Sequence, residues 1–295
     1  MEINIGGRLW SVGRGAEQVM AIVNVTPDSF FAGSRRQSEA EIVAAAERAL
    51  LEGAGIIDLG GYSSRPGAED VSPEEEFRRL ERGVETVRQV AGEAFPLSVD
   101  TFRAEVVRRL YDRFGAFVVN DISAGELDAE MISTVGQLGL PYIAMHMRGT
   151  PQTMTALTDY SDEDGGVVGA VMRYFGTKVA EVRAAGVKDL ILDPGFGFAK
   201  TVEQNFELLG QMDKLSVFGC PVLAGLSRKS MIWRTLEITP AEALNGTSVL
   251  NWEALRLGAS ILRVHDVREA VETVRLFTAY RRSGSMAAAE VATVL

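Results

Sequence analysis

The sequence predicts an α/β fold, a (β/α)8 or TIM barrel that is preceded by a β-hairpin. Short apolar runs rich in Val and Ile recur eight times, each ends in a polar or glycine-bearing loop, and helix-start signals stand between them. Runs that are short and do not alternate are typical of strands buried on both faces, and their alternation with helices indicates a parallel sheet. Eight units favour a closed barrel over the alternative, an open doubly wound sheet, because they exceed the usual strand number of that fold.

The elements follow from local patterns along the chain. Residues 3–12 predict a hairpin over the barrel floor, because Gly6 and Gly7 provide a turn between two arms. The eight predicted strands are Val19–Val23, Ile56–Leu59, Leu97–Val99, Phe117–Val119, Tyr142–Met145, Leu190–Leu192, Pro221–Leu223 and Ile261–Val264.

Capping boxes mark the predicted helix starts, because a Ser or Thr is followed three residues later by Glu or Gln. The four matches are Ser38 with Glu41, Ser72 with Glu75, Thr201 with Gln204, and Thr239 with Glu242. Residues 283–295 are weakly patterned and predict a loose tail or an added terminal helix. With no linker or low-complexity segment in view, we expect one domain over residues 1–295.

Composition and charge exclude several classes of protein. Hydrophobic residues make up 46% of the chain and charged residues 24%, as in globular proteins. No apolar run reaches the roughly 20 residues of a membrane span, and the first residues do not resemble a signal peptide. Cys220 is the only cysteine, so no internal disulfide forms and a cytoplasmic location is expected. The net charge of −10 argues against nucleic acid or an anionic membrane as a partner.

Polar residues follow the predicted strands, at the end of the barrel where active sites are built. The sixth exit, residues 193–200, is the most informative, because it combines a carboxylate, two glycines, two aromatic rings and a lysine. We expect Asp193, Phe196, Phe198 and Lys200 to serve a polar aromatic ligand with an anionic end, since a core requires none of them.

Two further sets of exit residues point to the same ligand chemistry. Each of Asp100, Asn120 and Asp193 alone fits a turn-forming residue, but together they suit the N–H donors of a planar heterocycle. An anionic group such as phosphate would suit a basic set of four exit residues, Arg65, Lys229, Arg263 and His265. Taken alone, Arg263 and His265 also fit surface ion pairs. His146 is a weaker candidate because Met145 and Met147 flank it. The loops 25–37 and 62–71 are long enough to predict lids.

Seven motifs occur in the order seen in the dihydropteroate synthase family, which the chain resembles from about Val19 to Tyr280. They are Asn24-Val25-Thr26-Pro27-Asp28-Ser29-Phe30, Ser63-Ser64-Arg65-Pro66-Gly67, Ser98-Val99-Asp100-Thr101, Val119-Asn120-Asp121-Ile122, Asp193-Pro194-Gly195-Phe196-Gly197-Phe198, Gly225-Leu226-Ser227-Arg228-Lys229-Ser230 and Arg263-Val264-His265. The resemblance implies a pterin-binding barrel that joins 6-hydroxymethyl-7,8-dihydropterin diphosphate to 4-aminobenzoate. It also implies a Mg²⁺ requirement, competition by sulfonamides and a homodimer. Tyr62-Ser63-Ser64 departs from the Glu-Ser-Thr of many members.

The resemblance also implies a role for each matching position. The catalytic residues would be Asp100, Asp193, Lys229, Arg263 and His265. The pterin would be held by Asp100, Asn120, Asp193 and Lys229, with Arg263 stacked on its face and Ile122 and Met145 lining the pocket. The diphosphate would contact Asn24, Ser64, Arg65, Arg263 and His265, with Asn24 on Mg²⁺. The aminobenzoate site would contain Phe30, Ser64, Pro66, Phe198, Lys229 and Ser230.

Two other functions stay open from the sequence. A pterin-binding methyltransferase that delivers a methyl group to a corrinoid shares the barrel, but it has no need of the loop that contains Lys229 and Ser230. A catalytically silent paralogue is the second alternative, and the intact Asn24, Asp193 and His265 argue against it.

Overall fold

Eight parallel strands close into a barrel in the computed structural model, which describes residues 1–25, 35–62, 71–161 and 164–292, with only the backbone at 35–38 and 284–292. Around the barrel each strand pairs with the next in sequence, and the last pairs with the first. The strands are β3 (Gln18–Asn24), β4 (Ile56–Gly60), β5 (Leu97–Asp100), β6 (Val118–Asp121), β7 (Tyr142–Met145), β8 (Leu190–Asp193), β9 (Val222–Ala224) and β10 (Ala259–Val264). The predicted TIM barrel is therefore confirmed, and the open-sheet alternative is wrong.

The strands lack a polar face because both of their faces are covered. Every residue of β4, β6, β7 and β8 is buried, with one face toward the barrel interior and the other toward the surrounding helices. Burial on both faces explains why these segments appear as continuous apolar runs in the sequence.

Helices follow each strand and surround the barrel. They are α1 (Arg35–Glu52), α2 (Pro73–Ala91), α3 (Ala104–Phe114), α4 (Met131–Leu138), α5 (Gly166–Ala184), α6 (Val202–Gly210), α7 (Ser230–Thr235), α8 (Leu244–Arg256) and α9 (Val267–Ala292). The weakly patterned tail continues α9 as far as Ala292. None of the helices within the described ranges is both long and apolar enough to cross a membrane.

Three of the four predicted capping signals stand at helix starts. The hydroxyl of Ser72 accepts a hydrogen bond from the backbone N–H of Glu75 at 3.2 Å, and α6 has the full box of Thr201 and Gln204. The box at Thr239 begins a short 3₁₀ turn that precedes α8. The prediction at Ser38 is wrong, because α1 already begins at Arg35, inside the predicted first loop.

The N-terminal hairpin closes the floor of the barrel, as the sequence predicts. Strands β1 (Glu2–Ile5) and β2 (Arg8–Ser11) pair antiparallel, and the connecting Gly6 and Gly7 have φ of +60° and +88°, the left-handed region that glycine adopts without strain. The apolar floor cluster consists of Ile3, Trp10, Val12, Met20, Ile56, Val118, Ile143, Ile191, Leu223 and Ile261. The hairpin thus supplies the apolar cover that the amino end of the barrel needs.

We predict that Trp10→Ala lowers the free energy of unfolding by about 3–5 kcal/mol, because it removes a large side chain that is only 8% exposed over the floor. Chemical denaturation monitored by circular dichroism measures this change. Leu9→Ala is the matched control, since Leu9 adjoins it in β2 but is 70% exposed, and a change within about 0.5 kcal/mol is expected there. Equal losses in the two variants would contradict the role given to Trp10.

Candidate active site

The interior of the barrel changes from apolar to polar over two residues along four of the eight strands. Side chains alternate in a strand, so the next inward position after a floor residue lies two residues later. Isoleucines at 56, 191 and 261 are followed in this way by Asp58, Asp193 and Arg263, and Val118 is followed by Asn120. The polar layer therefore lies directly above the floor cluster, at the end where the strands exit.

An ion-pair network fills the centre of this polar layer. The Arg263 Nε donates to Oδ2 of Asp58 at 2.7 Å, and its Nη2 donates to Oδ2 of Asp100 at 2.8 Å. The amide of Asn120 donates to the same Asp58 oxygen at 3.0 Å. Arg263 is therefore an interior residue bound between two carboxylates, which corrects its interpretation as a surface ion pair.

Asp58 is a site residue that the sequence analysis missed. It is completely buried, and it lies in the middle of β4, a segment interpreted only as an apolar run. A charge inside an otherwise apolar strand was the available signal, because a buried carboxylate is costly unless a cation or hydrogen-bond donors meet it.

Burial and the surrounding charges set the protonation of this network. Burial raises the pKa of Asp100 to about 7; Arg263 opposes the rise, whereas Asp58, Glu76 and Asp121 add to it. Burial lowers the pKa of the Arg263 guanidinium, but Asp58 and Asp100 outweigh it and hold that pKa above its usual range. The site therefore combines a permanent cation with a carboxyl group that titrates near neutrality.

The buried Asp193 and the half-buried Lys229 place a second set of opposite charges at the same end of the barrel. Burial raises the pKa of Asp193, against the opposing charge of Lys229, and the Gly195 backbone N–H donates to the carboxylate at 2.8 Å. Burial also lowers the pKa of Lys229 to about 8. The Lys229 ammonium donates to the Phe196 carbonyl and lies 4.9 Å from the centre of the Phe198 ring.

The loop after β8 does not serve a ligand with all of its side chains, contrary to expectation. Phe196 is fully buried in the main core, and Lys200 is buried beneath the loop, where its Nζ lies 3.0 Å from the ring of His146. Phe198 is only half-buried and packs on an apolar cluster formed by Ile122, Met145, Met147, Met154 and Ala199. The predicted pocket-lining residues Ile122 and Met145 thus share one wall with Phe198.

The remaining described candidates stand at the rim. His265 is exposed, and its Nδ1 lies 3.2 Å from the hydroxyl of Ser227, which also accepts from the His265 backbone N–H. Asn24 is exposed at the end of β3, and Ser230 is the first residue of α7. His146 is buried away from the rim, and burial lowers its pKa well below the usual range.

Several predicted residues fall outside the described ranges. Phe30, Ser64, Arg65 and Pro66 are among them, as is most of the two predicted lids. Over the described ranges, no group of three or more His, Cys, Asp or Glu residues is arranged to hold a metal ion.

Comparisons with known proteins identify the family. A sequence profile described as pterin binding enzyme matches residues 20–265. The chain belongs to this family. Its relatives include dihydropteroate synthases of Synechocystis and Escherichia coli, both 42% identical, over 90% and 88% of this chain and 90% of each relative.

Solved structures agree with this assignment. A Xanthomonas albilineans dihydropteroate synthase with 4-aminobenzoic acid matches with a TM-score of 0.84 and 37% identity, over 95% of this chain and 98% of that one. A Yersinia pestis dihydropteroate synthase in a sulfonamide complex matches with a TM-score of 0.85 and 36% identity, over 96% and 100%. Within the pterin binding enzymes, the chain falls among the dihydropteroate synthases.

We predict that Asp58→Asn lowers the pKa of Asp100 from about 7, because it removes a neighbouring negative charge that raises it. The substitution is close to isosteric, and in the described part of the chain Oδ1 of Asp58 accepts no hydrogen bond, so an amide nitrogen at that position breaks none. Titration of the carboxyl carbon of Asp100 by NMR measures the change. Asp112→Asn, on the exposed surface of α3, is the control and should leave this pKa unaltered.

The same shift has a consequence for stability. Folded protein holds the Asp100 proton between pH 3.8 and about 7, whereas the unfolded chain has lost it. The contribution of Asp100 to the free energy of unfolding is fully present below pH 3.8 and is lost as the pH rises through 7. The loss should occur over a narrower pH range in Asp58→Asn, and an unchanged range would contradict the coupling of the two carboxyl groups.

Proposed function

We propose that this chain catalyses the dihydropteroate synthase reaction of folate biosynthesis. It transfers the pterin-methyl group of 6-hydroxymethyl-7,8-dihydropterin diphosphate to the amine of 4-aminobenzoate, giving 7,8-dihydropteroate and diphosphate. The observation that carries the proposal is the buried network of Asp58, Asp100, Asn120 and Arg263 at the strand exits, with Asp193 and Lys229 at the same end. Family membership and the ligands of related structures support it.

The polar layer suits a pterin ring. Asp193 and Asn120 offer acceptors and an amide to the edge of a heterocycle rich in N–H groups, and a carboxylate can bind such an edge through two parallel hydrogen bonds. Asp100 lies beside the Arg263 guanidinium, which we place over the face of the ring. Ile122 and Met145 provide apolar contact, because their cluster borders the same site.

The diphosphate end is assigned to the rim. Arg263 and His265 are the described groups that would bind it, and Asn24, Ser64 and Arg65 are proposed to complete the site. Asn24 suits Mg²⁺, since this metal takes oxygen ligands and keeps much of its shell as water and phosphate oxygens. A Cβ at Gly60 would lie 3.2 Å from the Asn24 oxygen, so the glycine keeps space open beside it. Bound Mg²⁺ would neutralise charge on the departing diphosphate.

We assign the aminobenzoate site to the side of Lys229 that faces away from the pterin site. Phe198 and Ser230 flank this lysine in the structure, and Phe30, Ser64 and Pro66 are proposed to complete the site from the two long loops. Sulfonamides, one of which is bound in the Yersinia pestis relative, should compete with aminobenzoate here.

The chemistry is a displacement at a carbon attached to an electron-rich ring. We propose that it is SN1-like: the bond from carbon to the diphosphate oxygen breaks first, and its electron pair leaves with diphosphate. The carboxylates of Asp100 and Asp193 stabilise the positive charge that grows on the pterin, while Arg263 and His265 stabilise the leaving group. The aromatic amine then attacks as the neutral base and loses a proton afterwards, so no strong general base is required.

A diphosphate-release assay with both substrates and Mg²⁺ tests the proposal. We expect sustained release to need both substrates, dihydropteroate to be detected by mass spectrometry, and turnover to be lost when the metal is chelated. Methyl transfer to a corrinoid without diphosphate release would favour the methyltransferase alternative, and pterin binding without turnover would favour the silent paralogue.

We predict that Asp193→Asn weakens binding of the pterin substrate by about 100-fold or more, because the ring edge loses a charged acceptor. Isothermal titration calorimetry measures the dissociation constant. Asp189→Asn is the matched control, since Asp189 lies just before β8, at the amino end of the strand that ends in Asp193. Near-normal affinity in Asp193→Asn would contradict the pterin-site assignment.

We also propose that the chain forms one domain and is located in the cytoplasm. We further propose that it forms a homodimer through its late helices, α8 and α9. Val249 on α8 and Leu276 and Tyr280 on α9 are large hydrophobic residues that are 58–66% exposed, which a partner subunit would cover. Sedimentation velocity should give twice the chain mass, and Leu276→Glu should shift it toward the monomer. A monomeric wild-type chain would contradict the assembly.

A further inference from the structure

Lys200 is a buried cation for which the proposed chemistry has no use. Its side chain is 8% exposed, and the ammonium lies beneath the loop that follows β8. It donates to the carbonyls of Gly195 at 3.0 Å and Phe198 at 3.1 Å, and lies 3.0 Å from Nδ1 of His146. One group therefore joins both ends of the loop to the neighbouring exit of β7.

The loop needs such support because its backbone conformation is energetically unfavourable. Every second residue from 195 to 199 is in the left-handed region: φ is +70° at Gly195, +80° at Gly197 and +48° at Ala199. Ala199 has no glycine-like freedom, so this conformation persists only when surrounding contacts fix it. A Cβ at Gly195 would lie 2.0 Å from the carbonyl oxygen of His146, so the two loops are in close contact.

Other hydrogen bonds hold the parts of the loop that Lys200 does not reach. The Gly197 N–H donates to Asn205 Oδ1 at 2.6 Å, and the hydroxyl of Tyr160 donates to the Ala199 carbonyl at 3.1 Å. The Phe196 carbonyl accepts from Lys229. The backbone is thus fixed from below by Lys200, while its upper side contacts Lys229 of the site.

The pair of Lys200 and His146 satisfies these groups in either protonation state. Burial lowers the pKa of Lys200 to about 7. The ammonium can donate to both carbonyls and to Nδ1, whereas the neutral amine can donate to both carbonyls and accept from an Nδ1–H. Burying an apolar side chain would cost less free energy than burying a lysine. The presence of the Lys200 donors is therefore best explained by their hydrogen bonds to the loop backbone.

We propose that Lys200 is a positioning residue that fixes the loop of residues 195–199 so that the Phe198 ring and the Phe196 carbonyl face Lys229 on the aminobenzoate side of the site. This inference rests on the proposed function. Asp193 lies in β8, so its backbone is held by the barrel and only one of its contacts, the Gly195 N–H, comes from this loop. The pterin side should therefore depend on Lys200 less than the aminobenzoate side.

Lys200→Met tests this role, because methionine keeps most of the length and apolar stem but provides no donor. We expect the KM for 4-aminobenzoate and the inhibition constant of a sulfonamide to rise together by about tenfold. The KM for the pterin substrate should change by less than about twofold. Lys178→Met is the matched control, since Lys178 is also 8% exposed but pairs with Glu181 on α5, and both KM values should stay unchanged.

Other outcomes would overturn the assignment. Unchanged aminobenzoate and sulfonamide constants, or an equal rise in the KM of both substrates, would show that Lys200 has no selective positioning role. If Lys200→Met does not fold, His146→Phe removes one partner of the ammonium while keeping a ring, and should raise the aminobenzoate KM by a smaller factor. No rise in that variant would also reject the proposal. Absence of turnover in the wild type would instead reject the proposed function, so the two failures are distinguishable.

Discussion

The guanidinium of Arg263 between the carboxylates of Asp58 and Asp100 is the interaction on which the polar end of this barrel depends. A charge in the barrel interior is tolerated only where opposite charges and hydrogen bonds surround it. The strands bring the three side chains together from β4, β5 and β10, and the amide of Asn120 on β6 completes the cluster. Because each group compensates another, the cluster is fixed in position before any ligand arrives, which is the arrangement that electrostatic catalysis requires.

Stability and function are separated along the barrel axis. The floor is a layer of aliphatic side chains closed by the hairpin, with Trp10 and Ile3 in the place that solvent would otherwise occupy. The carboxylates and cations lie above this layer, two residues further along the strands. The apolar layer stabilises the fold through burial, and it thereby supports a polar layer whose groups are costly to bury.

Lys229 and Lys200 show how position decides the role of the same side chain. Burial lowers the pKa of both, to about 8 for Lys229 and about 7 for Lys200. Lys229 lies beside Asp193 and Phe198, on the site side of the β8 loop, whereas Lys200 lies beneath that loop against His146. The two lysines therefore contact one loop backbone from opposite sides, so that a change in one can alter the position of the other.

The sequence by itself determined the barrel, the hairpin and the polar exits of most strands, because apolar periodicity, capping residues and turn residues act over a few neighbours. It also indicated Asp100, Asn120, Asp193 and Lys229 as residues of one end. Only the tertiary structure decided that Arg263 is an interior cation, that Asp58 is its partner and that Lys200 is directed away from the site. The first two facts depend on side chains that meet across strands more than 150 residues apart in sequence, as with Arg263 and Asp100. The third depends on the contact of Lys200 with His146, on the neighbouring loop. No local pattern encodes such a meeting, since the closure of the barrel alone brings β10 beside β3 and turns its side chains toward β4 and β5.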